Sequence, residues 1–205
     1  PIPRWELVNM KHYASMNIQY SRGCPFQCEF CDITALYGQK ARTKRTNQIV
    51  AELERLYAQG WRGSVFFVDD NFIGSKSKGM EVLQAVRDWS RRHNYPFYYS
   101  TEASINLADD EQLLQMMNDV DFRYVFVGIE SPEDEILQLA GKKHNVNRSV
   151  VDAVKTISSY GMVVNGGFII GFDNESDRSA EYMIKCIQDS GVSMAMLGML
   201  YGAPN

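Results

Sequence analysis

Six alternations of apolar strand and amphipathic helix, without an intervening hairpin signal, predict an α/β fold of parallel strands joined by right-handed crossovers. Length points to an incomplete barrel. Eight such units normally need about 250 residues, and this chain has 205. No Gly-x-Gly-x-x-Gly follows the first strand, which separates the chain from a sequential Rossmann arrangement. The expectation is a parallel (βα)6 partial TIM barrel.

Composition is that of one packed domain, 45% hydrophobic and 22% charged. A formal net charge of -4 gives no general attraction to nucleic acid. There is no apolar run long enough for a membrane span and no signal peptide, so a cytoplasmic location is expected. Residues 1–15 read as a lead-in and 16–205 as the core domain of a larger multidomain protein. Pro1-Ile2-Pro3 at one end and Tyr201-Gly202-Ala203-Pro204-Asn205 at the other both look cut.

The first strand is Met16-Asn17-Ile18-Gln19-Tyr20, where apolar and polar residues alternate; Ser21-Arg22-Gly23 ends it. Tyr37 to Arg45 is a polar loop with Lys40, Arg42, Lys44 and Arg45. It reads either as solvated or as a basic lip for a phosphorylated substrate or a negative partner domain. Thr46 is placed to cap a helix with Ile49, Val50, Leu53, Leu56 and Tyr57 inward, closed by Gly60. Ser64 to Val68 is continuously apolar, as in a strand covered on both faces. A helix over about 77–92 buries Val82, Leu83, Val86 and Trp89, and Phe97 to Thr101 is the third strand. The next helix begins near Asp109, and the fourth strand is Phe122 to Val127. Ser131-Pro132 starts a helix, and a second helical piece runs from Asn147 to Tyr160, stopped by Gly161. Strand five lies in Val163 to Ile170, with Gly166-Gly167 permitting a close approach to its backbone. A helix over about 177–189, with Ala180, Met183, Ile184 and Ile187 inward, leads to a last strand, Met194 to Leu200.

Chemistry concentrates after the first strand. Cys24, Cys28 and Cys31 are three of the four cysteines, at a strand's carboxyl end, where α/β folds gather active-site groups. Thiolates this close suit a soft metal or an iron–sulfur cluster. A structural zinc or electron-transfer cluster wants four ligands, and three leave a position open. A disulfide would need an oxidising compartment. A zinc site could draw on His12, and an unrelated cluster on Cys186, although that cysteine reads as part of a helix.

The Cys-x3-Cys-x2-Cys spacing, with Phe30 before the third cysteine, resembles the radical S-adenosylmethionine (SAM) superfamily. The resemblance implies a [4Fe–4S] cluster on the three cysteines, with SAM's amino and carboxylate groups on the fourth iron. SAM is then reductively cleaved to a 5′-deoxyadenosyl radical. Asp69-Asp70-Asn71 stands where the family often carries Gly-Gly-Glu for the methionine end. Glu102 and Glu130 end strands three and four, where the family places polar residues for the ribose and carboxylate. Gly167-x-Ile169-x-Gly171 resembles part of the adenine motif, but Asn174 replaces its Glu and Glu175 follows one residue later. Phe30 would lie beside the adenine.

Ser21 to Phe26, Tyr37-Gly38, Arg42-Thr43, Gly60 to Gly74 and Gly128-Ile129-Glu130-Ser131-Pro132 resemble the cobalamin-binding-domain-linked branch, near the hopanoid C-2 methylases. That branch implies B12-binding and C-terminal domains flanking the core, and a cobalamin-dependent C-methyltransferase. It also implies an electron donor such as flavodoxin or ferredoxin and a small substrate of apolar or lipid-like kind. The Asp-x-His-x-x-Gly lower-ligand motif is absent, so these residues alone are not expected to bind cobalamin. The rivals are a B12-independent radical SAM oxidoreductase or methylthiotransferase, and a non-catalytic zinc or iron–sulfur module.

Overall fold

The computed structural model describes residues 2–201. In chain order the elements are β1 (Ser15–Ile18), β2 (Ser21–Arg22), α1 (Ile33–Tyr37), β3 (Arg42–Thr43), α2 (Thr46–Ala58), β4 (Gly63–Phe67), α3 (Lys76–Arg92) and β5 (Phe97–Ala103). There follow α4 (Glu111–Val120), β6 (Phe122–Glu130), α5 (Asp134–Leu139), α6 (Val150–Ser159), β7 (Val163–Ile170), α7 (Ser179–Ser190) and β8 (Met194–Met199). Six strands form one parallel sheet in the order β1-β4-β5-β6-β7-β8. Sequential order without reversal makes this an arc of a barrel and excludes a doubly wound sheet. All connections deliver the strands' carboxyl ends to one rim.

Only one sheet face is covered by helices. Along β5, Phe97, Tyr99, Thr101 and Ala103 are buried, while Tyr98, Ser100 and Glu102 between them are half-buried. Trp89 of α3 stacks on Phe97 (centroids 5.3 Å apart), and Ser90 Oγ lies 3.3 Å from the Tyr99 hydroxyl, so the buried set faces the helices. Glu102 therefore belongs to the concave face. β4 behaves alike: Val65 and Phe67 are buried, but Phe66 and Val68 only partly. Its apolar run was expected to be covered on both sides; an arc of six strands leaves the concave side partly open.

The core residues expected on α2 and α3 are in place. Ile49, Leu53, Leu56, Val82, Leu83 and Val86 are fully buried, and Trp89 nearly so; each such side chain contributes about 1.5–3 kcal/mol by burial. Val50 and Tyr57 are partly buried against the same core. Helix starts differ in detail. α2 begins at Thr46 rather than after it, and the Gln48 side chain accepts from Arg45 N at 2.9 Å. Asp110 caps α4, accepting from Leu113 N at 3.1 Å, because a short 3-10 turn at Ile105–Asp109 precedes it. Ser131 accepts from Glu133 N, and α5 begins only at Asp134. On α7 the buried face is Ser179, Met183, Cys186 and Ser190; Ala180 and Ile184 are exposed. Met183 and the small Cys186 are buried as expected and Ile187 is partly buried against the core, so the expected face errs only at Ala180 and Ile184, which turn outward.

One feature has no counterpart in the expected β-α alternation. β2 and β3 form a separate antiparallel ribbon, pairing Ser21 with Thr43 and Arg22 with Arg42. It closes the base of the cysteine loop.

Candidate active site

The cysteine loop is fixed at its base by Asp69. This residue lies two positions after the end of β4, is 1% exposed, and accepts from Tyr20 N at 3.2 Å and from Ser21 N. Burial pushes its carboxyl up to about 6, while the backbone N–H donors favour the charged form. The loop then turns at Gly23 (φ +94), where a Cβ would sit 2.8 Å from the carbonyl oxygens of Gly38 and Lys40. Cys24 N donates to Gly38 O at 3.3 Å. At its far side Glu29 N donates to Ala140 O at 3.0 Å, and Gly141 (φ +69) leaves room for Gln27 O. The loop is thus held by the ribbon, by β4 and by the end of α5.

Cys24, Cys28 and Cys31 are free, partly exposed thiols lining one cavity of about 150 Å³. Burial pushes the Cys28 thiol up to about 11 against the pull of Lys142, and burial raises Cys31 as well. Among the described residues no three His, Cys, Asp or Glu side chains gather around a single-ion position, as zinc ligands do at about 2.0–2.3 Å from the metal.

The strand ends complete the wall. Asn71 Nδ2 lies 3.8 Å from Cys24 Sγ, while its Oδ1 accepts from Ser104 N at 3.2 Å and Ser104 Oγ at 3.3 Å. It ties the residues after β4 to those after β5. Asp70 also lines the cavity, and its Oδ2 is buried without a hydrogen-bond partner. Glu102 faces the same space with no ion pair among the described residues; burial, then the charges of Asp70 and Asp69, raise its pKa.

Glu130 is placed differently. It stands at φ 67 and 7% exposed, and its Oε1 accepts from Lys142 Nζ at 2.5 Å. A Cβ on Gly128 would lie 2.7 Å from that nitrogen, so glycine is what lets the pair lie across β6. Asn145 Nδ2 donates to both Gly128 O and Ile129 O at 3.1 Å, holding the 141–147 segment on the strand end. His144 stacks on Phe26 of the cysteine loop, with centroids 3.7 Å apart. Its buried Nδ1 has no partner, and burial, with Lys142 and Arg148, lowers its pKa to about 4. Sequence reasoning gave Phe26, inside the cysteine loop, no role in the site, and missed Lys142, His144 and Asn145 altogether. None lies at a strand end, and the Cys24-to-Cys31 spacing does not point to the segment after α5.

Phe30 lies between this cavity and a second one of about 540 Å³, lined also by Leu139, Phe172, Asn174 and Leu200. Gly167, Ile169 and Gly171 line neither. The close approach to Gly167 is made by the Phe126 ring, 2.6 Å from an added Cβ. Gly171 (φ +95) and Phe172 donate their N–H groups to Glu175 Oε1, at 2.8 and 3.3 Å. Glu175 thus braces the turn after β7, one residue beyond the motif position held by Asn174.

Fold and site together define a partial-barrel enzyme domain with three closely spaced free thiols at the carboxyl end of the first sheet strand. Three thiols with a free carboxylate oxygen at hand fit a cluster that leaves one iron for an amine-bearing ligand. The sequence matches the model of the radical SAM superfamily over residues 18–187, and the chain belongs to that superfamily. It is 45% identical over 205 residues to an uncharacterized methyltransferase of Synechocystis sp., covering 100% of this chain and 38% of that protein. It is 39% identical over 204 residues to the hopanoid C-2 methylase of Rhodopseudomonas palustris, covering 100% of this chain and 39% of that protein. The chain therefore spans about two-fifths of these relatives. Among solved structures, the radical SAM methyltransferase TsrM of Kitasatospora setae, with cobalamin and a [4Fe-4S] cluster bound, superposes with TM-score 0.81. That match has 18% identity and covers 93% of this chain and 35% of that one. At such identity it speaks for the fold. No helix among the described residues is long and apolar enough to cross a membrane.

Proposed function

We propose that this chain is the catalytic core of a cobalamin-dependent radical SAM C-methyltransferase, with Cys24, Cys28 and Cys31 holding a [4Fe–4S] cluster. The observation that carries the reading is the buried, unpartnered Asp70 Oδ2 in the same cavity as the three thiols. An ammonium group is the partner such an oxygen lacks, and SAM's methionine end supplies one. The chemistry supplied by the bound pair is one-electron cleavage of SAM to methionine and a 5′-deoxyadenosyl radical.

The protein's own part is to hold and to shield. Asp69 fixes the cysteine loop through Tyr20 N and Ser21 N. Asn71 points its amide nitrogen at the Cys24 sulfur, 3.8 Å away, and so helps to orient that side chain. Glu102 offers the ribose a carboxylate with no ion pair among the described residues. Lys142, ion-paired with Glu130, lines the same cavity. Phe30 and Phe172, with centroids 6.3 Å apart, flank the second cavity, which is large enough for a purine ring.

The finer reading follows the relatives' names. The longer protein methylates a carbon of a small apolar or lipid-like substrate, with cobalamin on a flanking domain and electrons from a flavodoxin or ferredoxin. The free thiols suit the reducing cytoplasm. The test is an anaerobic assay of the full-length protein with reductant, SAM, cobalamin and candidate apolar lipids. Methylated product with both 5′-deoxyadenosine and S-adenosylhomocysteine is expected. Turnover unchanged without cobalamin, or without S-adenosylhomocysteine, removes the methylase and leaves another kind of radical SAM enzyme.

A further inference from the structure

The β2–β3 ribbon carries charge opposite to that of the molecule. Arg22, Lys40, Arg42 and Arg45 are all exposed, and none forms an ion pair among the described residues. The chain as a whole has a net charge of -4. Arg22 and Arg42 are register partners across the ribbon, an arrangement in which like charges destabilise the pairing. Their contacts are neutral: Arg22 Nε donates to Gln19 Oε1 at 2.7 Å, and Arg42 Nη2 to Tyr37 O at 3.1 Å. The loop's own acids, Glu29 and Asp32, pair with none of the four. Beside the cations lie exposed Leu36 and Tyr37, the latter with the Arg22 guanidinium 5.9 Å from its ring centroid.

The position of this patch limits its use. None of the four cations lines the cavity of the thiols, so they do not serve a ligand there. They stand on the outer side of the same loop: Arg22 is two residues from Cys24, and the carbonyls of Gly38 and Lys40 pack against Gly23. A cationic rim around a small apolar centre, one loop-thickness from a redox group, fits the weak, charge-steered contact of an electron carrier.

We infer that the β2–β3 ribbon is the docking surface for an acidic one-electron carrier protein of the flavodoxin type, an inference that rests on the cluster assignment above. The step it serves moves one electron. The carrier is oxidised by one, the iron–sulfur group on Cys24, Cys28 and Cys31 is reduced by one, and no bond forms or breaks. The ribbon supplies encounter and orientation.

The test compares full-length wild type, Arg22→Gln/Arg42→Gln and Arg22→Glu/Arg42→Glu. Stopped-flow reduction is followed with flavodoxin hydroquinone and, separately, with photoreduced 5-deazariboflavin, a small neutral reductant that needs no docking. At low ionic strength the flavodoxin rate constant should fall about tenfold or more in the Glu pair and less in the Gln pair. The difference should shrink between about 0.01 M and 0.1 M salt, as the Debye length drops from about 30 to 10 Å. Iron and sulfide content and the deazariboflavin rate should stay at wild-type values. Titration of oxidised flavodoxin into unloaded protein should show the same order of affinities. Flavodoxin rates and affinities equal in all three proteins overturn the proposal, as does unchanged flavodoxin binding alongside lost binding of inorganic phosphate or duplex DNA. If the Glu pair loses iron, the Gln pair decides. If wild type itself takes up no iron and sulfide, the cluster assignment has failed, and the flavodoxin titration still decides whether the ribbon is the docking surface.

Discussion

The carboxyl ends of β5 and β6 look alike in sequence and differ in the folded chain. Each carries a glutamate at or next to its last residue. Glu102 remains an uncommitted carboxylate on the concave face. Glu130, in a left-handed backbone conformation, is taken up by Lys142 twelve residues on. Strand position decides where a side chain is delivered; what the following loop brings back decides whether it is free. Glu102 is therefore the better candidate for ribose binding, and Glu130 belongs to the wall.

The largest expected effect is on the paired side. Lys142→Met leaves the Glu130 carboxylate buried without its cation, and should cost about 3–5 kcal/mol of stability in denaturant unfolding. Lys142→Met combined with Glu130→Gln should recover much of that loss. A single Lys142→Met variant as stable as wild type would mean the two ends are not different after all.

Glu102→Gln should act on the ligand instead. With clustered protein, SAM affinity measured by calorimetry should weaken by about 1–3 kcal/mol, the cost of a lost hydrogen bond to a polar partner. Glu130→Gln should weaken it less. Stability should move the other way at Glu102. Its carboxyl is raised in the folded chain, so its contribution is fully present below the unfolded pKa and lost as pH rises through the folded one. Glu102→Gln should thus be at least as stable as wild type at pH 7. Equal SAM binding by both Gln variants and wild type would remove the ribose assignment.

A smaller effect distinguishes the two anchors of the cysteine loop. His144, on the α5 side, is depressed to about 4. Its contribution to stability is present above the unfolded value near 6.5 and lost as pH falls from there toward 4. A His144→Phe variant should retain the Phe26 stack and show a flatter stability profile across that window. An NMR titration placing the imidazole pKa near its ordinary value would contradict the burial.

Much of the frame was legible in the sequence. Strand and helix alternation specified the arc, and residues such as Leu53, Val86 and Trp89 marked the helix-facing core because apolar period follows burial directly. Three adjacent residues after β4 show the limit. Asp69, Asp70 and Asn71 share one position in the pattern, yet Asp69 anchors backbone, Asp70 keeps a free oxygen in the cavity, and Asn71 bridges Cys24 and Ser104. Direction alternates within a turn, and no local signal records it. Lys142 and His144 were hidden for another reason: they reach the site through the chain's return after α5. The β2–β3 ribbon is two residues per strand, too short for any periodicity.

The central claim is that Cys24, Cys28 and Cys31, and not Cys186, hold a [4Fe–4S] cluster. Iron and acid-labile sulfide, measured after anaerobic reconstitution of the four single Cys→Ala variants, test it most directly. Loss of most of both in the Cys24, Cys28 and Cys31 variants, with wild-type content in Cys186→Ala, is the expected result. Loading should also weaken as pH falls, because burial holds the Cys28 and Cys31 thiols in their protonated form and binding must release those protons. Equal retention of iron and sulfide in all four variants would contradict the account.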